Sequence, residues 1–406
     1  MGLLLPMLAA GNLEDSLRIS RKVERLHKHI LTVDSHTDTP LRMMQKDFRI
    51  AARHDPVTDH TRVDLPRMKE GGLDAAFFAV FVSQGKRTPE GNEKARQRIQ
   101  VLMDTVRSAV ARYPGQAGLA CSPRDAMRLK KQDKRAIFIG IENGYAIGND
   151  LDLIRKWYDE GARYITLCHT KNNDICDSST DSTEYNGLSE FGKNVVLFMN
   201  KTGMMIDVSH ISDKAFYDVL GISRSPVIAS HSCARALCSN PRNLDDDMLR
   251  ALARNGGVIQ VCLLSAYVKT PEPNPARDSA RQAVRKKFND FDGLSDDEMK
   301  KARRYWYTVD EQFPEKLATV KDVADHIDHI VRVAGIRHAG IGTDFDGGGG
   351  VTGCYDAGQM KNITRELVLR GYSGSGIRKI WGGNLMRVMR KAEKISHGIK
   401  RACGCH

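Results

Sequence analysis

Eight short apolar runs recur along the chain, most of them separated by enough residues for a helix. They span Leu31–Thr39, Asp74–Ser83, Arg135–Asn143, Tyr164–His169, Met204–His210, Pro226–His231, Gly257–Leu264 and His338–Asp346. Short runs rich in Val, Ile and Phe predict strands buried on both faces. Between them, polar segments carry apolar residues at helical spacing. Asn92–Tyr113 repeats Ile99, Val101, Leu102, Val106 and Val110 before Pro114-Gly115 stops it. Leu151–Glu160 ends at Gly161, Ser189–Lys201 at Gly203, Asp213–Leu220 at Gly221 and Leu244–Arg254 at Gly256-Gly257, the last three readable as helices running into a C-terminal glycine.

Strand, helix and strand repeated in this way predict parallel strands joined by crossover helices. The expected fold is α/β, a single-domain (β/α)8 TIM barrel. A charged helical excursion with three prolines in Pro271–Pro275, running from Tyr267 to Val320, is expected as an inserted helical loop between strands 7 and 8. Two further helices, Asp356–Arg370 and Gly374–Lys394, follow the last strand. Residues 1–12 read as a signal-peptide remnant, 13–395 as the barrel domain and 396–406 as a C-terminal tail.

Seven of the eight runs end on or beside a side chain able to bind a metal or move a proton: His36 with Asp38, Glu142, His169, His210, His231, Tyr267 a little past its run, and Asp344 with Asp346. Only the second run has none. The C-terminal strand ends of such a barrel converge on one mouth, so these side chains would meet in space. His36 and Asp38, two apart on a strand, face the same way and could share one cation. Glu142 follows a dense apolar stretch, where a carboxylate must be paired or coordinate a metal. His210 and His231 both follow a serine at a strand end, and neutral imidazole is a zinc ligand.

These five residues suggest two metals, with His36 and Asp38 on one, His210 and His231 on the other, and Glu142 shared. Two cations ~3.5–4 Å apart can hold a bridging hydroxide and polarise a carbonyl, which suits amide hydrolysis. Asp344 is placed to carry a proton to the leaving amine, and His169 to donate to a developing oxyanion. Arg242 could grip a substrate carboxylate. His326 and His329 read as helix-face residues.

Charge changes this picture little. The 62 basic residues against 50 acidic ones are spread over helical stretches, and aromatics make up only 6%. No basic and aromatic strip for nucleic acid appears. The nine cysteines are an odd number, so they cannot all pair internally. Cys168, Cys233 and Cys262 read as small buried hydrophobes, and Cys403, Cys405 and His406 as a frayed end. Apolar Met1–Ala10 followed by Gly11 suggests a leader without its basic part, hence a periplasmic or secreted protein, with the cytoplasm as alternative. No stable membrane anchor is expected.

With these residues in hand, the chain resembles the membrane (renal) dipeptidase family, a zinc-peptidase branch of the amidohydrolase barrels, from about Ile30 to Arg390. The resemblance is carried by Asp34-Ser35-His36-Thr37-Asp38, Gly140-Ile141-Glu142-Asn143-Gly144, Tyr164-Ile165-Thr166-Leu167-Cys168-His169, Asp207-Val208-Ser209-His210, Ser230-His231-Ser232, Val323-Ala324-Asp325-His326-Ile327-Asp328-His329-Ile330 and Gly342-Thr343-Asp344-Phe345-Asp346-Gly347. It implies a binuclear zinc site hydrolysing dipeptides, with tolerance of a D-residue on the C-terminal side. It also implies His36, Asp38, Glu142, His210 and His231 as metal ligands, with Glu142 bridging and catalytic. His169 falls on the substrate-binding histidine, Asp344 on the acid/base aspartate, Arg242 on the arginine for the terminal carboxylate, and Tyr267 near the substrate. A homodimer acting on a small dipeptide is implied, with no nucleic-acid partner. Another amidohydrolase activity on the same barrel, deacylase or lactonase, is the runner-up, ahead of an inactive binding protein. Val268–Thr319 is longer than in the mammalian relatives, which marks it as the place where specificity would differ.

Overall fold

A computed structural model describes residues 4–291 and 294–402. Nine strands form one parallel sheet: β1 Val33–Thr37, β2 Ala75–Phe81, β3 Ala117–Leu119, β4 Arg135–Glu142, β5 Ala162–Thr166, β6 Met205–Asp207, β7 Ile228–Ser232, β8 Val258–Val261 and β9 Ala339–Ile341. The order β1-β2-β4-β5-β6-β7-β8-β9 matches the eight apolar runs one for one. The ring closes just past β9, where Asp38 N–H donates to Phe345 O (2.8 Å) and Asp344 N–H to His36 O (3.0 Å). The protein is therefore a (β/α)8 barrel. β3, a three-residue Ala-Gly-Leu segment with no apolar run to announce it, pairs with the first residues of β4 below the point where β5 begins.

Inside the barrel, Phe77 stacks on Phe138 (4.6 Å) and beside Tyr164 (5.4 Å). Gly140 makes room for this layer, since a Cβ there would lie 2.1 Å from the Tyr164 ring. Val33, Ala75, Met205, Ile228 and Val258 complete the layer, and Leu385, Met386 and Met389 of the final helix cap it from below. The floor of the barrel is therefore packed, and the polar groups are left to the opposite mouth.

The surrounding helices largely keep their expected positions, and several carry side-chain caps. Ser189 and Asp245 cap helices Glu190–Thr202 and Asp246–Asn255, which end at left-handed Gly203 and Gly256. Gly221 differs. The helix runs through it to Ile222, because Ser223 N–H still bonds Val219 O (2.8 Å). The last helix runs Asn384–Ala402 rather than stopping at Lys394. Ser396 is buried in it and donates to Lys201 O (2.7 Å), so much of the expected tail is helical. Cys403, Cys405 and His406 lie outside the described residues. At the other end one helix covers Leu4–His29, including most of the expected leader. Among the described residues no helix is long and apolar enough to cross a membrane.

The excursion after β8 is a helical hairpin, Pro275–Lys287 against Asp296–Gln312, clamped by Arg281–Asp310 (2.7 Å) and Arg277–Glu315 (3.4 Å). Cys168, Cys233 and Cys262 are fully buried thiols, and the seven described cysteines are all unpaired.

Candidate metal centre and active site

The mouth gathers the other four expected ligands around the Glu142 carboxylate. Glu142 ends β4 with Oε2 3.5 Å from His36 Nε2, while Oε1 lies 3.1 Å from His210 Nε2 and 3.6 Å from His231 Nε2. Asp38 Oδ2 stands 3.7 Å from His36 Nε2. One oxygen of Glu142 thus faces the β1 ligand and the other faces the β6 and β7 ligands. Register shifts between Asp34 and Thr37, and between Ala229 and Ser232, fall around His36 and His231. Such bulges re-aim side chains next to functional sites. His210 and Asp344 both take left-handed backbone (φ 73° and 59°), a strain held by their surroundings.

The imidazoles are oriented from behind. His231 Nδ1 meets Ser230 Oγ at 2.8 Å, and that hydroxyl donates to Asp207 Oδ2 (2.6 Å). Ser230 Oγ therefore accepts a hydrogen bond from Nδ1–H, which leaves Nε2 a bare lone pair. Asp207 also accepts from Thr166 Oγ1 (2.5 Å) and from the Ser209 and Ser230 amides. His36 Nδ1 pairs with Tyr164 Oη at 2.9 Å, while its Nε2 is buried with no hydrogen-bond partner. Histidine held through its far nitrogen is the usual support of a metal ligand. Asp34 ties β1 to the last strand end by accepting from His36 N–H (3.2 Å), Thr343 N–H (2.9 Å) and Thr343 Oγ1 (2.5 Å). Burial pushes its carboxyl up to about 6 against those hydrogen bonds. The sequence motifs around Asp207 and Asp34 assign neither of them a role. Tyr164 had none because its contact with His36 is made across the barrel.

Imidazole lone pairs and carboxylates gathered within a few ångströms repel one another unless a cation lies among them, so the donor set fits metal. Among the described residues three groupings could hold an ion: His36, Glu142 and His231; Glu142, His169 and His210; and His36, Asp38 and Asp344. The second is not expected from the sequence, which gives His169 a role toward the substrate. Its Nε2 is 3.8 Å from Glu142 Oε1, and its ring lies 4.3 Å from that of His210. Burial pushes His169 down to about 4, so its imidazole is neutral. Phe81, at the end of β2, packs edge-on against it (4.7 Å). The strand end without a polar group thus supplies an apolar wall.

Asp344 sits beside Asp38, and burial, then that neighbouring carboxylate, push it well above the usual carboxylate range. Its carbonyl accepts from the amides of Gly347, Gly348 and Gly349. Asp346, expected alongside it, is spent structurally, accepting from Arg62 N–H (2.7 Å) and Thr39 Oγ1 (2.7 Å). Arg242 is 3% exposed. It donates to His231 O (3.2 Å), leaves Nε without a partner and has no ion pair among the described residues. Its guanidinium lies over the Tyr267 ring (5.3 Å), and burial pushes that phenol up to about 12. His326 and His329 are structural and buried. His326 accepts from Ala234 N–H (3.1 Å) and donates to Val268 O (2.8 Å), and His329 pairs with Asp246 (2.6 Å).

Residues 20–402 match the family model of membrane dipeptidase, peptidase family M19. The chain belongs to the membrane dipeptidase family. Among curated M19-like relatives, the dipeptidase tcpJ of Claviceps purpurea is 31% identical over 87% of this chain and 75% of its own. Dipeptidase 3 of Macaca fascicularis is 30% identical over 94% of this chain and 69% of its own. The crystal structure of the probable dipeptidase PvdM from Pseudomonas aeruginosa superposes with a TM-score of 0.81 at 32% identity, covering 93% of this chain and 99% of that one. A metallo peptidase from Rhodobacter sphaeroides, liganded with a phosphinate mimic of L-Ala-D-Ala, shares the fold at TM-score 0.72 and 20% identity over 89% of this chain and 99% of its own. M19 membership makes the protein a hydrolase of the dipeptidase class, with His, Glu and Asp clusters able to hold metal.

Proposed function

We propose that the protein is a binuclear zinc dipeptidase that cleaves L-L dipeptides and those with a C-terminal D-residue. The observation that carries the substrate claim is Arg242, a buried guanidinium with no carboxylate partner, bonded to the backbone of His231. A buried unpaired charge is costly, and a substrate carboxylate would neutralise it. His36 and Asp38 would hold one ion, His210 and His231 the other, with one oxygen of Glu142 on each. Imidazole and carboxylate donors suit zinc. The two ions would supply an ionised water at neutral pH and polarise the scissile carbonyl.

The chain does the rest. Arg242 and Tyr267 fix the terminal carboxylate, which limits substrates to dipeptide length. His169, neutral and steadied by Phe81, donates to the oxygen that gains charge, and Asp344 takes the proton from the attacking water and passes it to the leaving amine. Export and a homodimer belong to the same proposal.

Metal analysis combined with a panel of L-L and L-D dipeptides tests it. Two zinc ions per chain and turnover of dipeptides are expected, with kcat/KM falling on the order of 100-fold in Arg242→Ala, mainly through KM. Fewer than two ions, or cleavage of acyl amino acids while every dipeptide is ignored, would defeat the reading.

A further inference from the structure

On the β1 side of the mouth, two guanidinium groups have little negative charge to answer them. Arg42, on the short helix Thr39–Met43, is 5% exposed. Its Nη2 donates to Tyr307 Oη (2.6 Å), and its Nε is buried without a hydrogen-bond partner. The nearest carboxylate oxygen, on Asp346, is 3.9 Å away and already accepts from Arg62 N–H. Arg303 comes from the inserted helix Asp296–Gln312, one turn before Tyr307 and on the same face. Among the described residues it makes no hydrogen bond and no ion pair. It lies in the field of Arg42, Tyr307, Asp38 and Asp346. Burial, then Arg42, pull its guanidinium down, while the other three oppose them. His60 stacks on Tyr307 with ring centres 3.6 Å apart, holding the inserted helix against the barrel.

A half-buried guanidinium with no carboxylate partner among the described residues, beside a buried one whose nearest carboxylate oxygen is 3.9 Å away, is costly by itself. It persists at a site when a ligand brings the missing charge. Arg242 stands beside His231 and Tyr267, on the β7 and β8 side, whereas Asp38, Arg42 and Arg303 stand on the β1 side, with Glu142 between them. A dipeptide gripped at Arg242 by its terminal carboxylate, with its carbonyl over Glu142, would point its N-terminal residue at Arg303. We propose that Arg303, with Arg42 behind it, binds the side-chain carboxylate of an acidic residue at the N-terminal position of the substrate. This rests on the dipeptidase reading and adds to it a preference for acidic-first dipeptides, supplied by the inserted hairpin.

The test compares Glu-Ala, Ala-Ala and Ala-Glu as substrates of the wild-type protein, Arg303→Gln and Arg303→Lys. The ratio of kcat/KM for Glu-Ala over Ala-Ala is expected above one, to drop on the order of 10- to 100-fold in Arg303→Gln, and to be partly retained in Arg303→Lys. The ratio for Ala-Glu over Ala-Ala should not move. An unchanged Glu-Ala ratio in Arg303→Gln, or a shift in the Ala-Glu ratio in its place, overturns the assignment. Calorimetry with reduced-amide analogues of Glu-Ala and Ala-Ala separates the two readings. If no dipeptide is hydrolysed but the Glu-Ala analogue binds tighter in an Arg303-dependent way, the dipeptidase reading fails and the acidic subsite stands. Equal affinity of the two analogues for the wild-type protein overturns the subsite whatever the activity.

Discussion

The Nε2 atoms of His210 and His231 lie 2.9 Å apart, and both face the same oxygen of Glu142. Ser230 engages the other nitrogen of His231, so its Nε2 lone pair points at its neighbour. A cation relieves this crowding, and without one a proton must be held between the rings. Chelation should therefore lower the melting temperature as well as abolish activity, and zinc should restore both. A metal present at 100 times its Kd adds about 2.7 kcal/mol, or several degrees. A melting temperature indifferent to chelator and to zinc would contradict this.

Ser230→Ala removes the group that fixes the His231 tautomer while leaving all five expected ligands. Zinc affinity, measured by competition with a chelating dye, should fall roughly 10- to 100-fold. Circular dichroism should show the barrel intact. Unchanged affinity would mean that the Asp207–Ser230–His231 relay does not orient the ligand.

The φ of Gly347 lies outside the left-handed range, yet a Cβ there would lie 2.1 Å from Asp38 Oδ2 and 2.4 Å from Asp344 Oδ1. Gly347→Ala should displace both carboxylates. The expected outcome is a loss of at least 100-fold in kcat with little change in melting temperature of the metal-free protein, since a misplacement of about 1 Å costs that much. Near-normal kcat would show that these carboxylates tolerate the shift.

Two histidines outside the cluster of expected ligands predict acid sensitivity. Burial pushes His27 and His326 below the ordinary value of 6.5, and Nδ1 of His326 accepts from Ala234 N–H, which requires a neutral ring. The sign follows from linkage. Below about pH 6.5 the unfolded chain binds protons that the folded chain refuses, so stability falls as pH drops from there through the lowered values, and is unaffected above. Urea titrations from pH 7.5 to 5 should show this slope, and His326→Gln should flatten it. An identical slope in that variant would remove His326 as a source.

How much of this could be read from the chain depends on the range of each contact. The eight barrel strands are local patterns of apolar residues, and each expected ligand sits at the end of its own strand, so strand order alone predicts that they meet. Gly221 shows the limit of a local stop signal, since a helix continues past a glycine when its hydrogen bonds and neighbours still favour it. β3 carries no apolar run and forms because β4 offers an unpaired edge.

The chain by itself determined the barrel, the convergence of His36, Asp38, Glu142, His210 and His231, and the family, because these rest on residue type and spacing. Tertiary structure alone decided that Tyr164 backs His36 from 128 residues away, that Phe81 walls His169, that Asp346 is spent on Arg62, and that Arg303 reaches the mouth beside Arg42. Those relations join distant segments whose side chains become neighbours only when the ring of strands closes. No local pattern records a distance across a closed barrel.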